Sequence, residues 1–355
     1  MNLPDSTPIY YDTASTTKVD ERVLNEMIPF FTEYYGNASS SHQYGEKAKK
    51  AIAKSRSQIA GLINCFEDEI ILTSGATESI NLALKGFIEA NSHRGNHIVT
   101  VKTEHKAVLN TCEYLETKGI EVTYLDVDEN GLVSLKDLES AITENTLLVS
   151  IMYVNNETGI IQPIKEIGEI TKTREVAFFC DATQAIGKVD FNFQSSNIDM
   201  FCFSGHKLNA PKGIGVLIKK GNIELTPLIH GGGQENGLRG GTYNTPLIVG
   251  LGKACELAKK EFNKNQQTFN SKRQDLERYF EENNIGKVNF KNVSCAPHIL
   301  SITLNGYEAD EFLMMKSSEF VASTGSACNA SIINESHVLA ALSLHKKKNI
   351  IRISI

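Results

Sequence analysis

An α/β fold with a mostly parallel sheet, followed by a smaller α+β domain, is predicted by three features of this 355-residue sequence. Between about residues 65 and 218, short apolar runs alternate with longer amphipathic ones; turn and cap residues fall between them; from about Thr245 the pattern gives way to one long polar helix and a second alternation. The first alternation opens with "EIILT" and a helix starting at Ala76. It continues through "HIVTV" with "KAVLNTCEYLETKG", "IEVTYL" with "SLKDLESAI", and "TLLVSIMYV" with "IKEIGEITKT", and closes on "VAFFC", "DMFCFS" and "GIGVLI". Strands separated by helices pair in parallel, with helices over both faces of the sheet. Asn130-Gly131 makes a turn, and Ser134 with Asp137 resembles a capping box. The lysine- and glutamate-rich stretch from Thr245 to Asn283 joins the two parts. "HILSITLNG", "EADEFLMMKSS", "FVAST" and "NIIRISI" furnish the second. The expected division is a large domain over residues 12–250 and a small one formed by 1–11 and 251–355, with no repeat or low-complexity linker.

Composition bounds the function. Hydrophobic residues make up 41% and charged residues 22% of the chain, the balance of a soluble protein long enough for a sizeable core. A formal charge of -6 and a pI near 5.9 argue against a general electrostatic grip on nucleic acid, so direct nucleic-acid binding is not expected. No run approaches the roughly 20 apolar residues of a membrane helix. The start "MNLPDSTPIYYD" has neither the basic nor the apolar region of a secretory leader, and the expected location is the cytoplasm. The seven cysteines, Cys65, Cys112, Cys180, Cys202, Cys255, Cys295 and Cys328, are odd in number and contain no C-x-x-C pair. They read as reduced thiols, with room for a reactive one among them.

The chemistry concentrates at the ends of the predicted strands. In "FCFSGHKLNAPKGIG", residues 201–215, the apolar run stops and Ser204, His206 and Lys207 follow at the strand's carboxyl end, where α/β sheets bind ligands. Asp181 ends "VAFFC" in the same way and Gln184 follows it. A lysine and an acid on neighbouring strand ends suit pyridoxal 5'-phosphate. That cofactor needs an amine for a Schiff base, a carboxylate to keep its pyridine nitrogen protonated, and an anion site for its phosphate. "TSGATES", residues 73–79, offers the anion site: Gly75, Ala76 and Thr77 open a helix whose first amides and dipole favour negative charge. His105, in "KTEHKAV" after "HIVTV", is placed to lie over the ring or to move a proton. Singly, each element also has a structural reading: a helix cap for the glycine-serine turn and for Asp181, a surface side chain for Lys207. Their coincidence at successive strand ends favours the cofactor.

Other groupings of residues carry less. His93, His97 and His105 fit no zinc spacing and no acidic cluster accompanies them, so no metal is expected. "HGGGQENG", residues 230–237, does not lie between a strand and a helix as a dinucleotide loop does, and reads as a tight loop at a subunit contact. "HKKKN", residues 345–349, reads as a solvated loop.

Taken together, the motifs resemble the cysteine desulfurases of the NifS and IscS type, within the class V aminotransferases of the fold-type I pyridoxal-phosphate enzymes. The resemblance runs from "YYDTASTTKVD" to "IRISI" through "GNASSSHQYG", "TSGATES", "KTEHKAVL", "VNNETG", "DATQAIGK", "SGHK", "APKGIG", "GGGQE", "RGGTYN" and "STGSACNAS". It implies that Lys207 carries the cofactor as a Schiff base, Asp181 pairs with the pyridinium nitrogen, Gln184 binds the phenolic oxygen and His105 stacks on the ring. It further implies that Ala76, Thr77, Ser204 and His206 hold the phosphate and that Thr242 reaches the phosphate of a neighbouring subunit in a homodimer. Asn156 and Arg352 would bind L-cysteine, with Arg352 forming a two-pronged pair with its carboxylate. Cys328, in a run of small and hydroxyl residues, becomes the nucleophile that takes sulfur as a persulfide and releases L-alanine.

The resemblance also implies a sulfur-acceptor protein. Iron-sulfur cluster scaffolds, tRNA thiolation proteins and DNA phosphorothioation machinery draw on such enzymes. "RGGT" stands where arginine-serine-glycine-threonine is more usual, which bears on the local phosphate geometry. The family continues for several helical segments past the arginine motif, whereas this sequence stops at Ile355, a difference that bears on stability and partner docking. The rival readings are an aminotransferase, lyase or selenocysteine-specific enzyme on the same fold, needing Lys207 and Asp181 but not Cys328, and a scaffold that docks acceptors with weak chemistry of its own.

Overall fold

The computed structural model describes residues 7–324, 336–344 and 348–355. Cys328 and residues 345–347 of the lysine run lie outside the described residues. Twelve strands occur among those described. They are β1 (Ile9–Tyr10), β2 (Ile70–Thr73), β3 (His97–Val101), β4 (Glu121–Leu125), β5 (Thr146–Ser150), β6 (Ala177–Asp181), β7 (Met200–Ser204), β8 (Gly215–Lys219), β9 (Gly286–Val288), β10 (Ile299–Leu304), β11 (Phe320–Val321) and β12 (Ile350–Ser354). The large sheet has the order β2-β8-β7-β6-β5-β3-β4. Its pairs from β7 through β4 are parallel, while β8 runs antiparallel to both β7 and β2. The exception has a simple cause. Residues 205–214 supply no crossover helix between β7 and β8, and a parallel return needs one.

Apart from the edge strand β4, the sheet is buried on both faces, and the period of two in its strands sorts side chains between two cores. Phe201 and Phe203 of β7 join Ile52, Ile59, Leu251 and Cys255 from the helices Gln43–Ile63 and Thr245–Glu282. Met200 and Cys202 of the same strand join Ile80, Leu84, Phe87 and Leu115 on the opposite face. That second layer comes from a helical run starting at Ala76, with a π turn over Leu82–Gly86, and from the helix Lys106–Glu116. "TLLVSIMYV" is shorter as a strand than its sequence suggests, ending at Ser150. Its ladder nonetheless continues, since the N–H groups of Ile151 and Tyr153 donate to the carbonyls of Phe179 and Asp181. The expected turn and cap are both present: Gly131 has φ 76° and Ser134 Oγ accepts the Asp137 N–H at 3.2 Å.

The helix Thr245–Glu282 runs from the first core to a second, smaller one. There β12, β10 and β9 form an antiparallel sheet over Phe280 and Phe312, and β1 pairs with β11 in parallel. Ile351 and Ile353 point into this core, so alternation along β12 sends Arg352 to the other side, toward the large sheet. No helix among the described residues is long and apolar enough to cross a membrane.

Phe201 sits between Phe191 and Phe193, with ring centroids 4.8 and 5.0 Å away, and is fully buried. Phe201→Ala should therefore cost about 3–5 kcal/mol of stability, read from urea unfolding as a lower midpoint with the slope unchanged.

Candidate active site

The carboxyl ends of β2, β3, β5, β6 and β7 open onto a cavity of about 480 Å³. Register sets its centre. Asp181 pairs with Cys202 across β6 and β7, and Lys207 follows on the turn Gly205–Lys207 just past the end of β7. Asp181 is 7% exposed. Its Oδ1 accepts the Thr183 N–H at 2.9 Å and a weak contact from Cys202 Sγ at 3.8 Å, so it is held rigidly at the strand end. The Lys207 ammonium donates to the carbonyl of Ala14 and, at 2.5 Å, to that of Ser15. Gln184 Nε2 donates to the same Ala14 carbonyl at 2.9 Å, while its Oε1 accepts Lys188 Nζ at 3.4 Å.

At one end the cavity meets the helix beginning at Ala76. Its N-cap is Gly75, with φ 154° and ψ 178°, a conformation closed to other residues, and no side chain caps the first amides. Backbones crowd here: a Cβ on Gly215 would lie 2.5 Å from Gly75 Cα, and one on Gly75 would reach 3.6 Å from Ser204 Oγ. The lack of side chains leaves a cradle of amides beside the Ser204 hydroxyl. Glu78, in the same turn, is drawn out of competition. Burial would raise its carboxyl, but hydrogen bonds from Arg239 and Ser74 outweigh that and hold it below its ordinary value.

Two histidines are held neutral. Burial is the largest cause at His105, opposed by Asp181 and assisted by Lys207, and the net direction is downward. Its Nδ1 accepts the Ala107 N–H at 3.1 Å, capping the helix Lys106–Glu116, which leaves the proton of the neutral ring on Nε2. Burial, then Lys207, Lys212 and Lys188, push His206 down to about 4; its Nδ1 lies 3.1 Å from Thr16 Oγ1.

The opposite wall belongs to Arg352. It is 3% exposed and makes three polar contacts: Nη2 to Asp12 Oδ1 at 2.6 Å and to Ser15 Oγ at 2.7 Å, and Nη1 to the Asn156 carbonyl at 2.9 Å. Its Nε is buried without a hydrogen-bond partner among the described residues. An unmet buried donor on a guanidinium invites an anionic ligand.

One cavity thus gathers Lys207, Asp181, Gln184, His105, Ala76, Thr77, Ser204, His206, Asn156 and Arg352. Thr242 is not among them. It is exposed and outside the cavity, on the loop after Arg239. Sequence reasoning missed Asp12, Ser15 and Glu157, although their signals stood in "YYDTASTTKVD" and "VNNETG". His97, weighed as a metal ligand, is instead bonded to the hydroxyls of Thr146 and Thr123, and no cluster able to hold a metal occurs among the described residues. The loop at 230–237 docks on the free edge of β2. Glu235 pairs with Arg56 and accepts the Leu72 N–H at 2.9 Å.

The sequence profile of the aminotransferase class-V family matches residues 9–355. The chain belongs to this family. It is 45% identical over 339 residues to a protein named cysteine desulfurase IscS from Neisseria meningitidis serogroup C (strain 053442), covering 95% of this chain and 84% of that protein. Among solved structures, a NifS-like protein superposes with a TM-score of 0.91 at 37% identity, over 98% of this chain and 94% of the other. A structure described as SspA in complex with cysteine has a TM-score of 0.86 at 40% identity, over 98% of both chains. The family's cofactor is pyridoxal 5'-phosphate. The cavity of this class-V aminotransferase fits it: a carboxylate and a lysine stand on adjacent strand ends, and an uncapped helix start kept open by Gly75 and Gly215 suits a phosphate.

Gly215→Ala should force β8 away from Gly75 and weaken pyridoxal phosphate binding at least about tenfold by absorbance titration, with the circular dichroism of the fold retained. A pH dependence follows from His206. Folded, it stays neutral down to about 4, whereas its ordinary value is 6.5, so unfolding takes up a proton between these limits and stability is lost as the pH falls through that window. His206→Asn should flatten the fall of Tm between about pH 6.5 and about 4.

Proposed function

We propose that this protein is a pyridoxal-phosphate-dependent cysteine desulfurase that converts L-cysteine to L-alanine and holds the sulfur on Cys328 as a persulfide for transfer to an acceptor protein. The observation that carries this reading is the pairing, in one cavity, of the strand-end lysine and acid with a buried guanidinium that has an unmet donor. The neighbour solved with cysteine and the relatives named for the reaction support the choice of substrate.

Bound pyridoxal phosphate supplies an electron sink that lets bonds at the substrate's α and β carbons break. Arg352 would receive the substrate carboxylate at its unmet Nε; Nη1 and Nη2, the other donors of the expected two-pronged pair, are held by the Asn156 carbonyl, Asp12 and Ser15. Asp181, from its rigid seat on β6, would keep the cofactor's ring nitrogen protonated. Lys207, as a free amine, would remove the α-proton. His105 keeps a proton on Nε2, ready to donate where charge develops. The Cys328 thiolate attacks the substrate sulfur; an S–S bond forms, the C–S bond breaks, and its electron pair stays with the carbon skeleton that leaves as alanine.

The described cysteines support Cys328 as the nucleophile, since burial holds all six as thiols. Cys65 and Cys112 are pushed up to about 12 and Cys295 to about 11, and Cys180, Cys202 and Cys255 are raised further into the core. In this reading residues 12–250 hold the cofactor, and 1–11 with 251–355 form the small domain carrying the cysteine loop. The exposed Thr242 supports a homodimer in which its hydroxyl serves the other subunit.

Purified, cofactor-loaded protein with L-cysteine and excess thiol reductant should release alanine and sulfide in equal amounts. Cys328→Ser should keep the cofactor absorbance and lose sulfide release, whereas Lys207→Ala should lose the lysine-bound absorbance band. Alanine without sulfide dependence on Cys328, or no alanine from the parent, would count against desulfuration.

A further inference from the structure

Glu157 is a carboxyl in the cavity wall that the reaction as derived above leaves unused. It is 7% exposed, and its setting is rigid. Asn155 Oδ1 accepts the Glu157 N–H at 2.9 Å, the Thr158 N–H at 3.0 Å and the Thr158 hydroxyl at 3.1 Å, while Asn155 Nδ2 donates to the Thr103 carbonyl at 3.0 Å. The loop bearing Glu157 is thereby tied to the segment bearing His105. Oε2 accepts Ser336 Oγ at 2.6 Å. No other hydrogen bond or ion pair to this carboxylate occurs among the described residues.

We propose that Glu157 is a further catalytic residue: its carboxylate accepts the proton that the substrate's α-ammonium group must lose before the nitrogen can attack at the cofactor. The proposal rests on the desulfurase reading. Arg352 Nη1 holds the carbonyl of Asn156, the peptide adjoining Glu157, so guanidinium and carboxyl are neighbours without forming an ion pair. An amino acid whose carboxylate lies on Arg352 carries its ammonium one carbon away, and the nitrogen needs an acceptor on that wall. The other carboxyls lining the cavity are engaged: Asp181 serves the ring nitrogen, and Glu78 is paired with Arg239 at 2.9 Å. His105 and His206 have Nδ1 committed to Ala107 N–H and Thr16 Oγ1.

The charged groups facing Glu157 are Arg352 from β12 and Lys106 from the helix after His105, with His337 beside Ser336. Burial pushes the carboxyl up to about 7 against the hydrogen bond from Ser336 and the attraction of both cations. A base of that strength exchanges protons near neutrality. The transfer balances without another reactant. The N–H bond breaks with its electron pair left on nitrogen, an O–H bond forms on Glu157, and the proton returns to the amino group of alanine as it leaves as a zwitterion.

The test compares the parent holoenzyme with its Glu157→Gln and Glu157→Asp variants. It records cofactor absorbance, cofactor Kd and kcat/KM for L-cysteine from about pH 6 to about 9. Glu157→Gln should bind cofactor within about twofold of the parent and lose about 100-fold in kcat/KM at neutral pH. The deficit should shrink about tenfold per pH unit as the substrate supplies its own free amine, and Glu157→Asp should fall between. A deficit equal at every pH, or none, overturns the proposal; if Glu157→Gln fails to load cofactor, the pH slope of the Asp variant decides in the same way. A parent that makes no alanine defeats the desulfurase reading itself, which separates the two failures.

Discussion

A buried guanidinium must be paired, and the pairing of Arg352 organises this site. Its partners come from two distant parts of the chain: Asp12 and Ser15 from the start, and the Asn156 carbonyl from the middle. The same initial segment binds the rest of the active site. The carbonyls of Ala14 and Ser15 receive Lys207, the Ala14 carbonyl also receives Gln184, and the Thr17 N–H and hydroxyl both donate to the His206 carbonyl. At its other side this segment closes on β12, through Ala14 N–H to Ser354 Oγ at 2.8 Å and Thr13 Oγ1 to the Ile355 carbonyl at 2.9 Å. Breaking the Arg352 pairing would leave an uncompensated buried charge, which costs about 3–5 kcal/mol. It would also release the segment that seats the lysine.

The sheet supplies the second constraint. Burial on both faces leaves its ordered polar groups to the strand ends, and the in-register pairing of β6 with β7 brings Asp181 beside the turn that carries Lys207. The antiparallel return of β8 brings Gly215 to the same edge, between Thr73 and Ser204. There its missing side chain lets the backbone close against Gly75. Close packing of two glycines is thus what keeps the anion cradle open.

Electrostatics completes the arrangement. Lys207, Arg352 and Lys188 are near one another in a dry setting, where each disfavours protonation of the groups around it. Burial and, after it, Lys207 hold both cavity histidines below their ordinary value, against the pull of Asp181 at His105, and burial with the repulsion of Lys207 and Arg352 pushes Lys188 down to about 7. Arg352, paired and almost fully buried, keeps a firm positive charge on one wall of the cavity. Two imidazoles held below their ordinary value line the same cavity.

Much of this was legible in the sequence. Strand-length apolar runs marked the ends at which Asp181, Ser204, His105 and the helix start at Ala76 are found, because burial and strand period are local properties of a chain. Residue chemistry singled out Lys207 and the glycine turn, and the ordered motifs pointed to the family. Other parts had no local signal. The antiparallel turn of β8 depends on the absence of a crossover, the grip of Asp12 and Ser15 on Arg352 spans almost the whole chain, and Glu157 stands in a quoted motif whose pattern does not say which way its side chain faces. The sequence by itself determined which residue types were available and which strand ends would bear them. Only the tertiary structure decided which met, since burial of a charge is settled by partners that folding brings from hundreds of residues away.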